Sequence, residues 1–331
     1  MSERPVGRES EPDPSGRGSG RQHVDSPSGP AEGRERGATS SVAVVTGANS
    51  GIGRATAIHL AAHGYEVYGT VRDRTRATKL AAMSAERDVE VKLVELDVAD
   101  DGSVRRGFDE ILGHTEGRVD VLVNNAGVAG NGTVEDTEPD HYLDAMNVNL
   151  CGPVRCCQAV LPRMRERGSG AIVNVSSVTG RVAALAQSPY VASKWALEGL
   201  SEGLAQEVAP FGIRVVIVEP GITRSAIFAK SVDAPDRTGA YGDHYRRMFQ
   251  MYAAGIAHAT DPFEVAEVIH HAVTTDNPQL RYHVSWGGEE LIGGRERITD
   301  AEWVSLGAAP DDDAYYTRFQ EIFGLDIRPA G

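Results

Sequence analysis

From Ser41 onward the chain alternates between short runs of β-branched residues and longer stretches with helical spacing. The runs are SVAVVTG, YEVYGTV, VKLVELD, VLVNNAG, AIVNVSS, RVVIVEPG and YHVSW. They are apolar at consecutive positions, a pattern that strands adopt when both of their faces are covered. Between them, Val104, Phe108, Ile111 and Leu112 follow Asp100 and Asp101 as a helix follows its N-cap. Tyr190, Leu197, Leu200, Leu204 and Val208 likewise follow Pro189 at the start of another helix. No internal repeat breaks the alternation. With right-handed crossovers this predicts a single α/β domain over residues 39–286, a doubly wound parallel sheet of about seven strands with helices on both faces.

The two ends depart from the pattern. Residues 1–38 mix Ser, Gly, Pro, Arg and Glu with almost no large apolar residue, so a disordered N-terminal tail is expected. Residues 287–331 exceed what the sheet requires and read as a C-terminal helical extension. TDAE at 299–302 is a capping-box pattern, and Tyr316, Phe319, Ile322 and Phe323 form a helical stripe that should dock on its own subunit or on a neighbour.

Composition narrows the function classes. Thirty-three Lys and Arg against 47 Asp and Glu give a formal charge of −14, which repels phosphate backbones and anionic lipid surfaces; nucleic-acid partners are not expected. No apolar run is long enough for an integral membrane segment, and the N-terminus lacks the charged-then-apolar order of a secretory signal, so a soluble, cytoplasmic protein is expected. The three cysteines, Cys151, Cys156 and Cys157, lack C-x-x-C spacing and read as reduced, mostly buried thiols. The ten histidines show no H-E-x-x-H, and adjacent His270 and His271 diverge by about 100° on a helix, so no metal is expected.

Chemistry gathers in the first strand-to-helix turn, TGANSGIG, with glycines at 47, 51 and 53. Glycines in that setting let backbone approach a pyrophosphate at the helix N-terminus. Further on, Tyr190 stands four residues before Lys194, one helical turn apart on the same face, with only Val191, Ala192 and Ser193 between them. NNAG at 124–127, NVN ending at Asn149, NVSS ending at Ser177 and EPG at 219–221 complete an ordered series. In these motifs and their separations, over about Ser41 to Val284, the chain resembles the short-chain dehydrogenase/reductase family, and TVRD with EPGITRSAIF leans toward its hydroxysteroid and retinol dehydrogenase-like branch.

The resemblance implies a Rossmann-like domain and a nicotinamide-dependent oxidation or reduction of an alcohol/carbonyl pair. Tyr190 would be the general acid/base, Lys194 its neighbour, Ser177 the contact to the substrate oxygen, and Asn149 the residue maintaining a proton-relay water. An asparagine beside Gly152 and Pro153 also has a plainer reading, as the mark of a helix kink. Lowering a phenol from about 10 by three requires roughly 4 kcal/mol. An ammonium about 5 Å away at an effective dielectric near 20 supplies roughly 3 kcal/mol, so Lys194 nearly suffices alone. The Ser177 hydroxyl can both donate to a developing alkoxide and accept from the tyrosine. Adjacent strand residues point to opposite faces, so only one of Ser176 and Ser177 can reach the site, and the family's thirteen-residue step to the tyrosine implies Ser177. For the cofactor, the resemblance implies Gly47, Asn49, Ser50, Gly51, Ile52 and Gly53 at the phosphates. It places Asp97 and Val98 at the adenine, Asn125, Ala126 and Gly127 along the adenosine side, and Tyr190, Lys194, Pro220, Gly221 and Thr223 toward the nicotinamide. Asn124 would bridge strands.

NADP(H) is the preferred cofactor, with NAD(H) possible. The strand YEVYGTV ends in Val71 and is followed by Arg72, which can clamp a 2′-phosphate, and Ser50 adds a hydroxyl. Asp73 lies where an NAD-specific carboxylate could stand, but beyond the strand end, where capping or pairing with an arginine is its expected task. Phe228, Tyr241, Tyr245, Met248, Phe249, Met251 and Tyr252 could form an apolar lid over a lipophilic secondary alcohol or ketone, or the core face of a helix. Residues 183–187 should form the opposite wall. Ser225 takes the family's threonine position and keeps a hydroxyl. A homodimer or homotetramer through the helices bearing Asn149 and Tyr190 is expected of the family. The alternative to an enzyme is a catalytically silent NADP(H)-binding sensor or scaffold.

Overall fold

The computed structural model describes residues 40–225 and 235–329; the tail expected over 1–38 and Phe228 lie outside the described residues. Seven strands form one parallel sheet: β1 (Val42–Val45), β2 (Glu66–Val71), β3 (Val91–Glu95), β4 (Val121–Asn124), β5 (Gly170–Val175), β6 (Ile213–Pro220) and β7 (Arg281–Val284). Their order across the sheet is β3-β2-β1-β4-β5-β6-β7. The chain winds outward from β1 in both directions, so the order reverses between β1 and β4, where a crevice opens at the carboxyl ends of the strands.

The consecutive apolar positions are explained by the two layers of helix. Val42 and Val44 of β1 face a core with Val104, Phe108 and Ile111 of α3 (Asp101–His114), Val160 and Met164 of α5 (Gly152–Arg167), and Leu204 of α6 (Ser188–Val208). Ala43 and Val45 face the other core, with Ile58 and Leu60 of α1 (Gly51–Ala62), Leu80 of α2 (Thr78–Ala85), and Val265 and Ile269 of α8 (Pro262–Thr274). At about 25 cal/mol per Å² each such side chain contributes roughly 1.5–3 kcal/mol, so a strand with polar residues at alternate positions would not tolerate this sandwich.

Local signals set the helix ends. Asp100 accepts from the backbone N–H of Ser103 at 2.5 Å, and Asp261 accepts from that of Phe263 at 2.9 Å. Between α4 (Pro139–Met146) and α5 the backbone widens into a π-turn over Asn147–Cys151. Pro153, lacking an N–H, withholds the ordinary partner from the carbonyl of Asn149 four residues earlier, a physical cause for the local widening.

After α7 (Gly242–Ala257), α8 and β7, the chain ends in α9 (Gly288–Arg297), α10 (Asp300–Gly307) and α11 (Asp312–Phe323). Thr299 and Glu302 form the capping box read from TDAE. Phe319, Ile322 and Phe323 pack with Leu291 and Ile292 against Val178 and Val182, two residues that follow β5. The extension thus packs on its own subunit, beside the loop that carries Ser177. Among the described residues no helix is long and apolar enough to cross a membrane.

Candidate active site

The turn between β1 and α1 can exist only with glycines. Gly47 has φ +68° and Gly51 φ +53°. A Cβ on Gly53 would fall 2.3 Å from the amide nitrogen of Asn125 and 2.5 Å from the carbonyl oxygen of Gly47. The first turn of α1 is thus closely packed, with a Cβ on Gly51 falling 2.8 Å from the Ser225 side chain. Thr46, which sequence reasoning passed over, fastens the turn to the β4 loop: its hydroxyl accepts from the backbone N–H groups of Asn125 and Ala126, both at 3.0 Å. The Asn125 side chain donates to the carbonyl of Thr46 at 2.8 Å, so it braces the turn from within. Asn124 makes the strand-bridging bond expected of it, 2.9 Å to Asn174.

Beside this turn lies a cleft of about 440 Å³, lined by Ser50 and Gly51 together with Arg54, Arg76, Lys79 and Arg224. Four cationic side chains thus surround a helix N-terminus, one of them, Arg224, paired with Asp261 at 2.5 Å. Arg72, the cation expected from the strand-end rule, is exposed and is not among the side chains that line it. Asp73 caps the short turn Arg74–Arg76, accepting from the N–H of Thr75 at 2.9 Å and from its hydroxyl at 2.6 Å, so its carboxylate is engaged as expected. The backbone N–H of Asp97 donates to Ser103 while its carboxylate accepts from Ala99, and Val98 is buried against Gly152. Thr223 is buried and its hydroxyl is 2.8 Å from that of Ser285, and Ser225 packs on Gly51.

At the other end of the crevice, α6 brings Tyr190 and Lys194 onto one face, with the ammonium 5.7 Å from the centre of the phenol ring. Lys194 is 5% exposed and donates to the carbonyl of Val175 at 2.9 Å. Gly127 completes this corner: a Cβ there would lie 3.2 Å from Asn149 Oδ1 and 3.9 Å from Lys194 Nζ. Asn149 is buried and fully engaged through its side chain. It accepts from the N–H of Val128 and donates to the carbonyl of Val128 and to Ser193, each at 2.9 Å. The relay and kink readings of Asn149 are compatible, because it occupies the π-turn and is at the same time anchored beside Lys194.

Ser177 carries a refinement. Its oxygen accepts from both the N–H and the hydroxyl of Thr179, at 3.2 and 3.0 Å, which fills its acceptor sites and leaves the hydroxyl proton to be donated. The dual donor and acceptor role read from sequence is thus narrowed to donation. Ser176 lies on the opposite face, beside Glu198.

The expectation that Lys194 nearly suffices to lower the phenol meets burial at both groups. Burial raises Tyr190 above the usual tyrosine range, opposed by its hydrogen bond with Ser177. Burial also lowers Lys194 to about 8, with Glu198 pulling the other way. Burial is the leading cause of the shift at both groups.

The aromatic stretch divides. Tyr245 and Met248 pack with Ala186 as a small core, while Met251 joins the C-terminal cluster. Tyr252 donates to Asn131 at 3.0 Å and is raised by burial and then by its proximity to Tyr190, which places it on the site.

The short chain dehydrogenase family profile matches residues 41–236, most of the sheet and all the motifs above. This chain belongs to the short-chain dehydrogenase family. It is 36% identical to human 17-beta-hydroxysteroid dehydrogenase type 1 over 297 residues, 86% of each chain. Among solved structures, it superposes with a TM-score of 0.69 on a short-chain dehydrogenase from Streptomyces avermitilis at 36% identity, covering 83% of this chain and all of that one. It also superposes on an actinorhodin polyketide ketoreductase solved with NADPH at 32% identity, with a TM-score of 0.62, covering 71% and 90%. As a short-chain dehydrogenase, the protein is an NAD(P)-dependent oxidoreductase acting on CH–OH groups.

Proposed function

We propose that the protein uses NADP(H) to interconvert a lipophilic secondary alcohol and its ketone, with Tyr190 as the proton donor and acceptor. The observation that carries this reading is the convergence of Ser177, Tyr190 and Lys194 at the end of the crevice opposite a basic, glycine-lined phosphate cleft. A bound NADP(H) would supply the hydride for reduction. Gly47, Asn49, Ser50, Gly51, Ile52 and Gly53 would form its cradle, Arg54, Arg76 and Lys79 would add charge for a 2′-phosphate, and Asn125, Ala126, Gly127, Pro220, Gly221 and Thr223 would line its path to Lys194.

In the reduction direction, Ser177 donates a hydrogen bond to the carbonyl oxygen and Tyr190 hands it a proton. A phenol held above its ordinary range keeps that proton at neutral pH, which suits the acid role. Lys194, charged below about pH 8, stabilises the phenolate left behind. The carbonyl of Asn149, which Pro153 cannot serve as a donor, would be the acceptor for a relay water that returns the proton. Tyr252 and the wall around Ala186 shape an apolar substrate pocket, in keeping with the steroid and polyketide chemistry in the relatives' names.

Exposed Leu143 on α4 and Trp195 on α6 support a homodimer or homotetramer built on these helices, and the three free cysteines suit a cytoplasmic setting. Nothing in the site favours the silent sensor or scaffold. The test is NADPH oxidation with a panel of lipophilic ketones. Turnover should occur with wild type and fall at least 100-fold in Tyr190→Phe, and a variant that keeps wild-type turnover would refute the assignment.

A further inference from the structure

α1 and α8 lie side by side on one face of the sheet, and their edges bring together three imidazoles that the chemistry above does not use. His59 sits in the last turn of α1, His63 at its C-cap and His270 on α8. Each offers a ring nitrogen, and the three nitrogens lie within 4.8 Å of one another. The ring centres are 4.2 Å apart for His59 and His63, 4.2 Å for His63 and His270, and 5.4 Å for His59 and His270. We propose that His59, His63 and His270 form a binding site for a divalent first-row transition cation such as zinc(II), held by three imidazoles with water completing the coordination sphere.

The local sequence builds two thirds of the site. HLAAH places His59 and His63 four residues apart, hence on one helix face, a pair that a search for H-E-x-x-H passes over. The third donor comes from a residue 207 positions further on, which only the packing of α8 against α1 brings near. Zinc–nitrogen bonds of about 2.0–2.1 Å in a tetrahedron set neighbouring nitrogens roughly 3.4 Å apart. Side-chain rotation by about an ångström closes 4.8 Å to that value without moving either helix.

The orientation of His63 suits the role. Its Nδ1 is 2.8 Å from the carbonyl oxygen of His59, and because a carbonyl only accepts, Nδ1 carries the proton. The lone pair is then on Nε2, and the backbone carbonyl acts as the outer partner that fixes ligating histidines. Three nitrogen donors without a carboxylate discriminate against calcium and magnesium and in favour of zinc, nickel, cobalt or copper. His63 is exposed and gives the ion a way in.

His59 lies about 12 Å along the helix axis from Gly51, too far to take part in hydride transfer. A bound ion would instead tie the end of α1 to α8 and stabilise the folded chain by mass action. The test uses full-length, tag-free protein stripped of metal, titrated with zinc chloride by calorimetry and melted with and without the ion. The expected result is one equivalent bound with a Kd of micromolar or tighter and a higher Tm. His63→Gln and His270→Gln should each weaken binding at least tenfold and abolish the rise in Tm, while ketone turnover of the stripped protein stays at the wild-type level and certifies the fold. Cobalt(II) should give visible bands that both variants lose. Absence of stoichiometric binding in wild type, or equal binding in wild type and both variants, would overturn the proposal.

Discussion

Replacing Lys194 by methionine should remove activity and yet not weaken the fold at neutral pH. The side chain is 5% exposed, and its ammonium is lowered from 10.5 to about 8, chiefly by burial. That drop corresponds to about 3 kcal/mol of penalty for carrying the charge inside the folded chain at pH 7. Methionine matches the lysine stem in length and removes the penalty, but leaves the carbonyl of Val175 without its donor at a cost of about 1–3 kcal/mol. The net expectation at pH 7 is a stability between unchanged and about 2 kcal/mol higher, or up to about 3 °C in Tm. The pH dependence has a definite sign. Between about 8 and 10.5 the unfolded chain holds the Lys194 proton more tightly than the folded one, so wild type gains stability across that window as pH rises, and the variant lacks this gain. Urea midpoints of cofactor-free protein at pH 7 and pH 10 measure both quantities. A variant destabilised by more than about 3 kcal/mol at pH 7, with a difference from wild type that does not change by pH 10, would refute the reasoning.

Gly53→Ala forces a Cβ to within 2.3 Å of Asn125 and should cost about 1–3 kcal/mol and weaken NADPH binding at least tenfold, read by fluorescence titration. Arg76→Ala should lower kcat/KM for NADPH about tenfold or more and leave NADH unaffected; if Arg72→Ala alone shifts the preference, the basic cleft is not the 2′-phosphate site. His283 Nδ1 is 2.5 Å from the fully buried Glu219, which raises the histidine. Its stabilisation is complete below about pH 6.5 and fades as pH rises through the raised value, so denaturation of His283→Gln should differ most from wild type near pH 6 and least near pH 9.

Much of this protein follows from local chemistry that the sequence states by itself. Consecutive apolar residues in the runs of β1, β4, β5 and β6 determined a sheet covered on both faces, because no other placement removes both sides of such a strand from water. Gly47, Gly51 and Gly53 determined the turn, since only they fit its backbone and close approach. The i to i+4 spacing determined that Tyr190 and Lys194 share a helix face. What tertiary structure decided are the quantities set by neighbours distant in sequence. Burial made Tyr190 a stronger proton holder than a view of its lysine alone implies, and Thr179 turned Ser177 into a donor. The short turn Arg74–Arg76 and α2 brought Arg76 and Lys79 to the cleft beside the glycine turn, which Arg72 does not line, and α8 delivered His270 to a histidine pair on α1. Desolvation and long-range packing depend on everything that surrounds a side chain, and periodicity along one segment carries no record of them.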